Sequence, residues 1–275
     1  MGLRINTNLA SISAQNNLNR TLHDLGVSLE RLSSGSRINR AADDASGLSI
    51  SEGFKSQIRS LGAASRNASD GISLIQIADG ALGNITDALT RLRELAVQSS
   101  NGTLSATERG FLDTEFTSLV SEVTRIAQST KFNALNLLDG STTTVNIQVG
   151  SGTSSSIDQV SFTLSNTTAT GLSLNASSIS TTTGASAAIA SIDAAIGTIN
   201  TSRSGLGAAQ NRLQTATENL AVTIENFSAS NSRIRDVDVA SETARYTRSQ
   251  ILAQAGSSIL AQANATSQLA LNLLR

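Results

Sequence analysis

Apolar side chains recur along this chain with a helical period almost everywhere and with a strand period in one short region only. From Ile5 to Leu32, the residues Leu18, Leu22, Leu25, Leu29 and Leu32 alternate spacings of four and three, an a/d seam. Ile5, Leu9 and Ile12 make a second short seam, two residues out of register with the first. Ser33-Ser34-Gly35-Ser36 signals a loop, and Arg37 to Gly53 mixes charges with small residues and has no clear period, so it reads as a connector. From Lys55 to Ser100 the helical stripe returns through Ala68, Ile72, Ile75, Ala78, Leu82, Ile85, Leu89, Leu92, Leu95 and Ala96. A helix of this length would run to about 65 Å, well past ordinary globular helices.

Asn101-Gly102 ends that helix, and Ser105 with Glu108 forms a capping box that opens the next. Its buried face is expected at Leu112, Phe116, Leu119, Val123 and Ile126, and Asp139-Gly140 marks a turn. The longest pattern runs through Ile189, Ile192, Ile196, Ile199, Leu206, Leu213, Leu220, Ile224 and Phe227, interrupted only by Arg203, Gln210 and Thr217. Polar residues at such positions fix register in a coiled-coil-like helix. A last helical segment covers Asp236 to Arg275, with Ile251, Leu252, Ala255, Ile259, Leu260 and Ala263 on its apolar side.

Residues 141–185 are different material, with 22 Ser or Thr among 45 positions and Asp158 as the single charge. Within them, Val145 to Val149 and Val160 to Leu164 alternate apolar and polar side chains, as half-buried strands do. Gly150 to Ser156 would be the hairpin loop, and Thr181 to Gly184 a linker. The fold class expected is mainly α: long coiled-coil-like helices from both termini with a small β-hairpin region in the middle.

Composition explains the pattern and removes function classes. The chain has 275 residues with no proline, cysteine or tryptophan. About a dozen prolines would be expected at average usage, and long uninterrupted helices exclude them. Without cysteine there are no disulfides or thiolate metal sites, and the single His23 cannot build a multi-histidine metal centre. His23 sits beside a leucine seam and reads as a solvated or interface residue rather than a catalyst. Asp43 and Asp44 read as helix-capping or interface charges rather than an acid–base pair. Lys55 and Lys131 are the only lysines and no phosphate loop is present.

The net charge of −1 with no basic block argues against nucleic acid. No apolar run is long enough to span a membrane. We expect no cofactor and no enzymatic activity. The opening residues lack the apolar stretch of a secretory leader, so export without a cleavable signal peptide is the expectation. Helices of this length keep an apolar stripe in water unless a partner covers it, which is the logic of an assembling subunit; a soluble coiled-coil binding module would instead be a stably helical monomer.

Both ends then resemble a known family. Ile5-Asn-Thr-Asn-Leu9, Leu29-Glu-Arg-Leu-Ser-Ser-Gly-Ser-Arg-Ile-Asn39, Ala41-Ala-Asp-Asp-Ala-Ser-Gly-Leu48 and Arg93-Glu-Leu-Ala-Val-Gln98 resemble the N-terminal region of bacterial flagellins. Ser232-Arg-Ile-Arg-Asp-Val-Asp-Val-Ala240, Gln254-Ala-Gly256, Leu260-Ala-Gln-Ala-Asn264 and the closing Leu273-Leu-Arg275 resemble their C-terminal region. The resemblance implies a subunit that polymerises into the extracellular flagellar filament used for motility. The nearest alternative is a hook–filament junction protein of the same superfamily.

It further implies that residues 1–45 and 235–275 pair as an inner coiled coil, disordered before assembly, and that 46–234 form a rod-like shell lacking large outer domains. Leu18, Leu22, Leu25, Leu29, Ile251, Leu252 and Ile259 are the expected inner-tube packing residues. Arg91, Leu95 and Glu115 match positions that in the family form the surface read by a host Toll-like receptor. Export chaperone, filament cap and hook-junction proteins are the partners implied besides other copies of the chain. The Ser/Thr-rich block could accept O-linked sugars on exposed hydroxyls.

Overall fold

A computed structural model of the chain describes residues 7–272, and side chains as far as Ala265. Ile5 of the first seam and the closing Leu273-Leu-Arg275 lie outside the described residues. Six helices and four short strands follow one another as α1 (Leu9–Ser34), α2 (Ala45–Ser99), α3 (Ala106–Ser129), β1 (Lys131–Phe132), β2 (Leu135–Asn136), β3 (Thr144–Gln148), α4 (Ser155–Asp158), β4 (Gln159–Thr163), α5 (Thr182–Arg235) and α6 (Val239–Asn272). At 1.5 Å per residue the 55 residues of α2 make a helix of about 80 Å. The chain divides into two compact units, residues 1–56 with 226–275 and residues 57–225.

The second unit holds the core. On α2 the expected stripe from Ala68 to Ala96 is buried, Ile72 partly, and on α5 Ile192, Ile199, Leu206, Leu213 and Leu220 are buried with Ala188, Ala195 and Ala209 between them. Ion pairs report the direction of packing: Arg93 Nε donates to Asp193 at 2.7 Å, and Arg203 Nε to Asp79 at 2.7 Å. As one partner's number rises the other's falls, so the helices run antiparallel. Arg203, read as a register-fixing interruption, is thus paired across the interface. Gly71 permits close approach here, since a Cβ on it would lie 3.0 Å from Ile147 Cγ1 and 3.1 Å from Leu213 Cδ1.

The capping box opens α3 as the sequence indicates: Glu108 N donates to Ser105 Oγ and Ser105 N to Glu108 Oε2. Phe116, Val123 and Ala127 are its buried residues. β3 and β4 pair antiparallel, Ile147 opposite Val160 and Val145 opposite Phe162, within one residue of the expected strands. Asp158 shapes the loop between them by accepting from the amides of Gly152 and Ser154.

Two expectations change. The segment read as a connector to Gly53 is helical from Ala45. Asp44 starts it, its Oδ1 accepting from Gly47 N at 2.8 Å. Gly47 leaves room for this cap, because a Cβ would meet Asp44 Oδ2 at 2.4 Å and Ile38 Cδ1 at 2.9 Å and displace those side chains. The Ser/Thr-rich block is also not uniformly a polar surface. After the hairpin it lays Leu164, Ala169, Leu172, Leu174 and Ile179 into the core, and Thr167 and Thr168 are buried with them. Thr167 Oγ1 donates to Leu138 O and Thr168 Oγ1 to Asn166 Oδ1.

Candidate functional site: the terminal helical pair

The first unit is built on α1 packed along α6. Asn8 caps α1, its side chain accepting from Ser11 N, and Gly35 ends it in the left-handed conformation at φ 68°. Asp238 opens α6 by accepting from the amides of Ala240 and Ser241. Contacts spread over both helices fix an antiparallel register. Asn8 Nδ2 donates to Ala263 O, Ser28 Oγ to Glu242 Oε1 at 2.6 Å, and Val237 N to Gly35 O. Ser36 and Asp236 form an isolated antiparallel bridge.

Which side chains face which partner separates this pair from an ordinary hairpin. A three-four series of covered positions runs along α1 through Ser11, Ala14, Leu18, Thr21, Leu25, Ser28 and Leu32, with Val27, Glu30 and Arg31 partly covered beside it; on α6 the covered positions are Glu242, Tyr246, Ser249, Ala253, Gly256, Leu260 and Ala263. Both sets keep strict three-four spacing, so this is a heptad seam. In it Leu18, Leu25, Leu32, Leu260 and Tyr246 are interspersed with small and polar residues. Gly256 lets the helices close up, since a Cβ there would stand 3.3 Å from Leu18 Cδ1.

Other large aliphatic side chains are left outside it. Leu22 is 49 % exposed, Leu29 56 %, Ile251 60 %, Leu252 52 % and Ile259 60 %. Of the residues expected to pack in the inner tube, only Leu18 and Leu25 are half-buried within the chain. The leucine seam read from the sequence is therefore split: Thr21 and Ser28, not Leu22 and Leu29, face α6. A groove of about 740 Å³ on α6 is lined by Thr247, Ile251 and Leu252 among others.

Charges frame the rest of this unit. Asp43 accepts from the amides of Arg40 and Asn39, which hold its carboxyl below the usual range. Glu52 accepts from Arg235 and Lys55 and is held low for the same kind of reason. Ser51 Oγ donates to Asn231 Oδ1, and Phe54 stacks on Phe227 with ring centroids 5.4 Å apart. These contacts tie the ends of α2 and α5 into the terminal unit. They lie within the first compact unit, residues 1–56 with 226–275. His23 is exposed on α1.

In the second unit, Arg91 donates to Glu115 from Nε at 3.0 Å and Nη2 at 2.8 Å, and from Nη1 to Glu94 at 3.0 Å. Glu115 and Glu94 raise the Arg91 pKa. Both partners of the Arg91–Glu115 pair are about half exposed. Leu95 is not on this surface. It is completely buried in the core, one helical turn from Arg91, where its side chain closes the α2 stripe. Sequence reading missed Ser28, Glu242 and Gly256 because none is a large apolar residue; the signal was their seven-residue spacing with Thr21, Ser249 and Ala263.

Among the described residues no helix is long and apolar enough to cross a membrane, and no cluster of three or more His, Asp or Glu could hold a metal. The bacterial flagellin N-terminal helical region matches residues 5–143, and the C-terminal helical region matches 189–274. Flagellin of Halalkalibacterium halodurans is 46 % identical over 271 residues, covering 98 % of this chain and 99 % of that one. Flagellin FlaB1 of Treponema pallidum is 42 % identical with the same coverage. The B-type flagellin of Pseudomonas aeruginosa, by contrast, matches over 58 % of this chain but 32 % of its own length.

Among solved structures, Bacillus cereus flagellin aligns with a TM-score of 0.50 and 32 % identity over 56 % of this chain and 88 % of that one. A putative flagellar hook-associated protein from Vibrio parahaemolyticus aligns at 0.58 over 70 % of this chain and 100 % of that one, but at 12 % identity it shows the fold alone. Two family regions in order and near-complete overlap with short relatives converge on the reading of the helices. The chain belongs to the bacterial flagellin family, in a short form without large outer domains, and is a structural subunit of the flagellar filament.

Proposed function

We propose that the α1–α6 pair is the element through which this subunit polymerises, with its outward aliphatic face covered by other copies. One observation carries the proposal: the pair leaves Leu22, Leu29, Ile251, Leu252 and Ile259 about half exposed or more. Burying apolar area stabilises by roughly 25 cal/mol per Å², so five such side chains on one subunit, repeated along a polymer, supply a substantial driving force. Leu18 and Leu25 then belong to the wall between α1 and α6, and the other five to contacts between copies. The second unit, with its own core, is the shell rod.

Seeded elongation tests this. Purified chain added to short filament fragments should lengthen them, and Leu22→Asp or Ile259→Asp should stop growth while leaving the melting of the second unit unchanged. Normal elongation by both variants would overturn the assignment of these residues. A hook–filament junction protein caps a joint, so no growth of the wild-type chain at any concentration would favour that reading. The same exposed face on α6 suits an export chaperone before assembly and the filament cap and hook-junction proteins at the filament ends. Passage through an export channel, to an extracellular filament, is consistent with a chain that has no disulfide to form. The Arg91–Glu115 pair is the part of the proposed Toll-like receptor surface that solvent reaches, with Leu95 supporting it from beneath.

A further inference from the structure

Asn101-Gly102 is the one Asn-Gly pair in the chain. It lies between α2 and α3, with both residues exposed and outside either helix. A glycine after an asparagine leaves the next main-chain nitrogen open to the asparagine's own side chain, and a Cβ on Gly102 would meet nothing within 4 Å. Among the described residues Gly102 N donates no hydrogen bond. Asn67-Ala68 makes the contrast. Asn67 is also exposed, but its side chain donates to Gln148 O, and Ala68 is buried within α2, where its nitrogen belongs to the helical ladder.

The turn also places donors on both oxygens that take up negative charge when that nitrogen attacks the side chain. Asn101 Oδ1 accepts from Thr103 N at 3.2 Å, which folds the carboxamide back along the Gly102 peptide. Asn101 O is the carbonyl of the amide whose nitrogen is Gly102 N. It accepts from Arg109 Nη2 at 2.8 Å and from Leu104 N at 3.4 Å. Arg109 is fixed there by a second bond, Nε to Ser99 O at 2.9 Å. An anion formed at Gly102 N is delocalised onto Asn101 O, beside the guanidinium. Donors already aimed at an oxygen where charge develops lower the barrier to developing it.

We propose that Asn101 is a self-modifying site, converted through a cyclic imide to aspartate and isoaspartate, with Arg109 promoting both steps. Gly102 N loses its proton to hydroxide and attacks Asn101 Cγ. The carboxamide C–N bond breaks, and ammonia leaves after taking a proton from water. Water then opens the imide at either carbonyl. Opening at Cγ breaks the new bond to Gly102 N and gives aspartate on an unchanged main chain. Opening at the Asn101 main-chain carbonyl routes the chain through Cγ and frees that carbonyl as a carboxylate. Arg109 polarises this second carbonyl and pairs with the carboxylate it becomes, so isoaspartate is the main product. Either product adds one negative charge to the formal −1 of the chain.

The test ages the purified full-length chain at mildly alkaline pH and follows it by peptide mass spectrometry, with isoaspartate labelled by an isoaspartyl methyltransferase. Asn101 should convert while Asn67 stays intact, faster as pH rises, with isoaspartate exceeding aspartate. Gly102→Ala should slow the conversion severalfold. Arg109→Gln should slow it severalfold as well and lower the ratio of isoaspartate to aspartate, and Arg109→Lys, which keeps the charge, should recover part of both. The same comparison in denaturant controls for a variant that folds poorly: there the wild type and Arg109→Gln should convert alike. Persistence of Asn101 for as long as Asn67 overturns the proposal. So does conversion of folded Arg109→Gln at the wild-type rate and ratio, or a difference between the two that survives in denaturant.

Discussion

The two units use similar residues to opposite ends. Among the described residues every buried apolar side chain except Ile38 lies between Leu61 and Leu220, in the second unit. The terminal unit has no shortage of aliphatic residues; Leu9, Ile12, Leu22, Leu29, Val239, Ile251, Leu252 and Ile259 are all substantially exposed. Hydrophobic content therefore does not separate a self-sufficient unit from an assembling one. The distinction lies in what the internal seam consumes. The second unit closes three helices and a hairpin over its large side chains, whereas the terminal pair covers only some of its leucines and leaves its other aliphatic residues exposed.

The largest consequence is a difference in local stability. Brief trypsin treatment of the dilute, unassembled chain should cut within residues 7–56 and 226–265, where Arg20, Arg31, Arg40, Arg245 and Arg248 offer sites, and spare the second unit. Few buried apolar contacts mean a low cost of local opening. In filaments both ends should be protected. Equal protection of ends and middle at low concentration would erase the contrast and favour a stable coiled-coil monomer.

Next in size comes truncation of the two kinds of aliphatic residue. Leu82→Ala removes a fully buried side chain and should destabilise the second unit by about 2–5 kcal/mol, read as a lower melting temperature. Leu252→Ala removes one that is half exposed and should leave that melting transition in place while slowing seeded elongation. If Leu252→Ala lowers melting as much as Leu82→Ala, the terminal face is already covered within the monomer.

The same contrast explains what the sequence made legible. The stripe from Ala68 to Ala96 and the run from Ile192 to Leu220 were readable because large apolar residues sit where a core needs them. The terminal seam was readable only at Leu18, Leu25, Leu32, Leu260 and Ala263, because Thr21, Ser28, Ser249 and Gly256 carry no hydrophobic signal and Leu22 and Leu29 lie one position away carrying a strong one. Pattern reading follows the largest side chains, and here they divide, with Leu18, Leu25 and Leu32 on the seam and Leu22 and Leu29 facing outward. The start of α2 was hidden for a related reason: Ala45, Ser46 and Gly47 show no period, and Asp44 as the cap is visible only with its bond to Gly47 N. Leu95 was placed on a surface by resemblance although its own stripe put it in the core.

Acid should act on both units, and sooner on the terminal one. Glu52 is held low by hydrogen bonding to Arg235 and Lys55, and Asp43 by the amides of Arg40 and Asn39. In the second unit Arg93 lowers Asp193 and Arg125 lowers Glu122. A carboxyl whose folded pKa is depressed contributes stability that is fully present above its unfolded value of about 4. That contribution is lost as pH falls through the folded value. The second unit keeps its core through this window, so circular dichroism should show a first, partial loss of helix below about pH 4, followed by the main transition. Glu52→Gln should weaken the terminal unit near neutral pH and flatten that first phase. A single acid transition unaffected by Glu52→Gln would argue that the ion contacts of the terminal unit carry no weight.

The smallest effect on stability is expected at Arg91. Its pair with Glu115 is solvent-exposed, and exposed ion pairs contribute little once screening and side-chain ordering are counted. Arg91→Ala and Glu115→Ala should therefore melt with the wild type. Leu95→Ala, two residues beyond Arg93 but wholly buried, should be destabilised by about 2–5 kcal/mol. The comparison separates two ways in which a host receptor response could depend on this region. If Arg91→Ala lowers the response of receptor-bearing cells without changing melting, the guanidinium is read directly. If only Leu95→Ala lowers it, and a compensating core substitution that restores melting also restores the response, the region contributes through its fold and Arg91 is not a recognition residue.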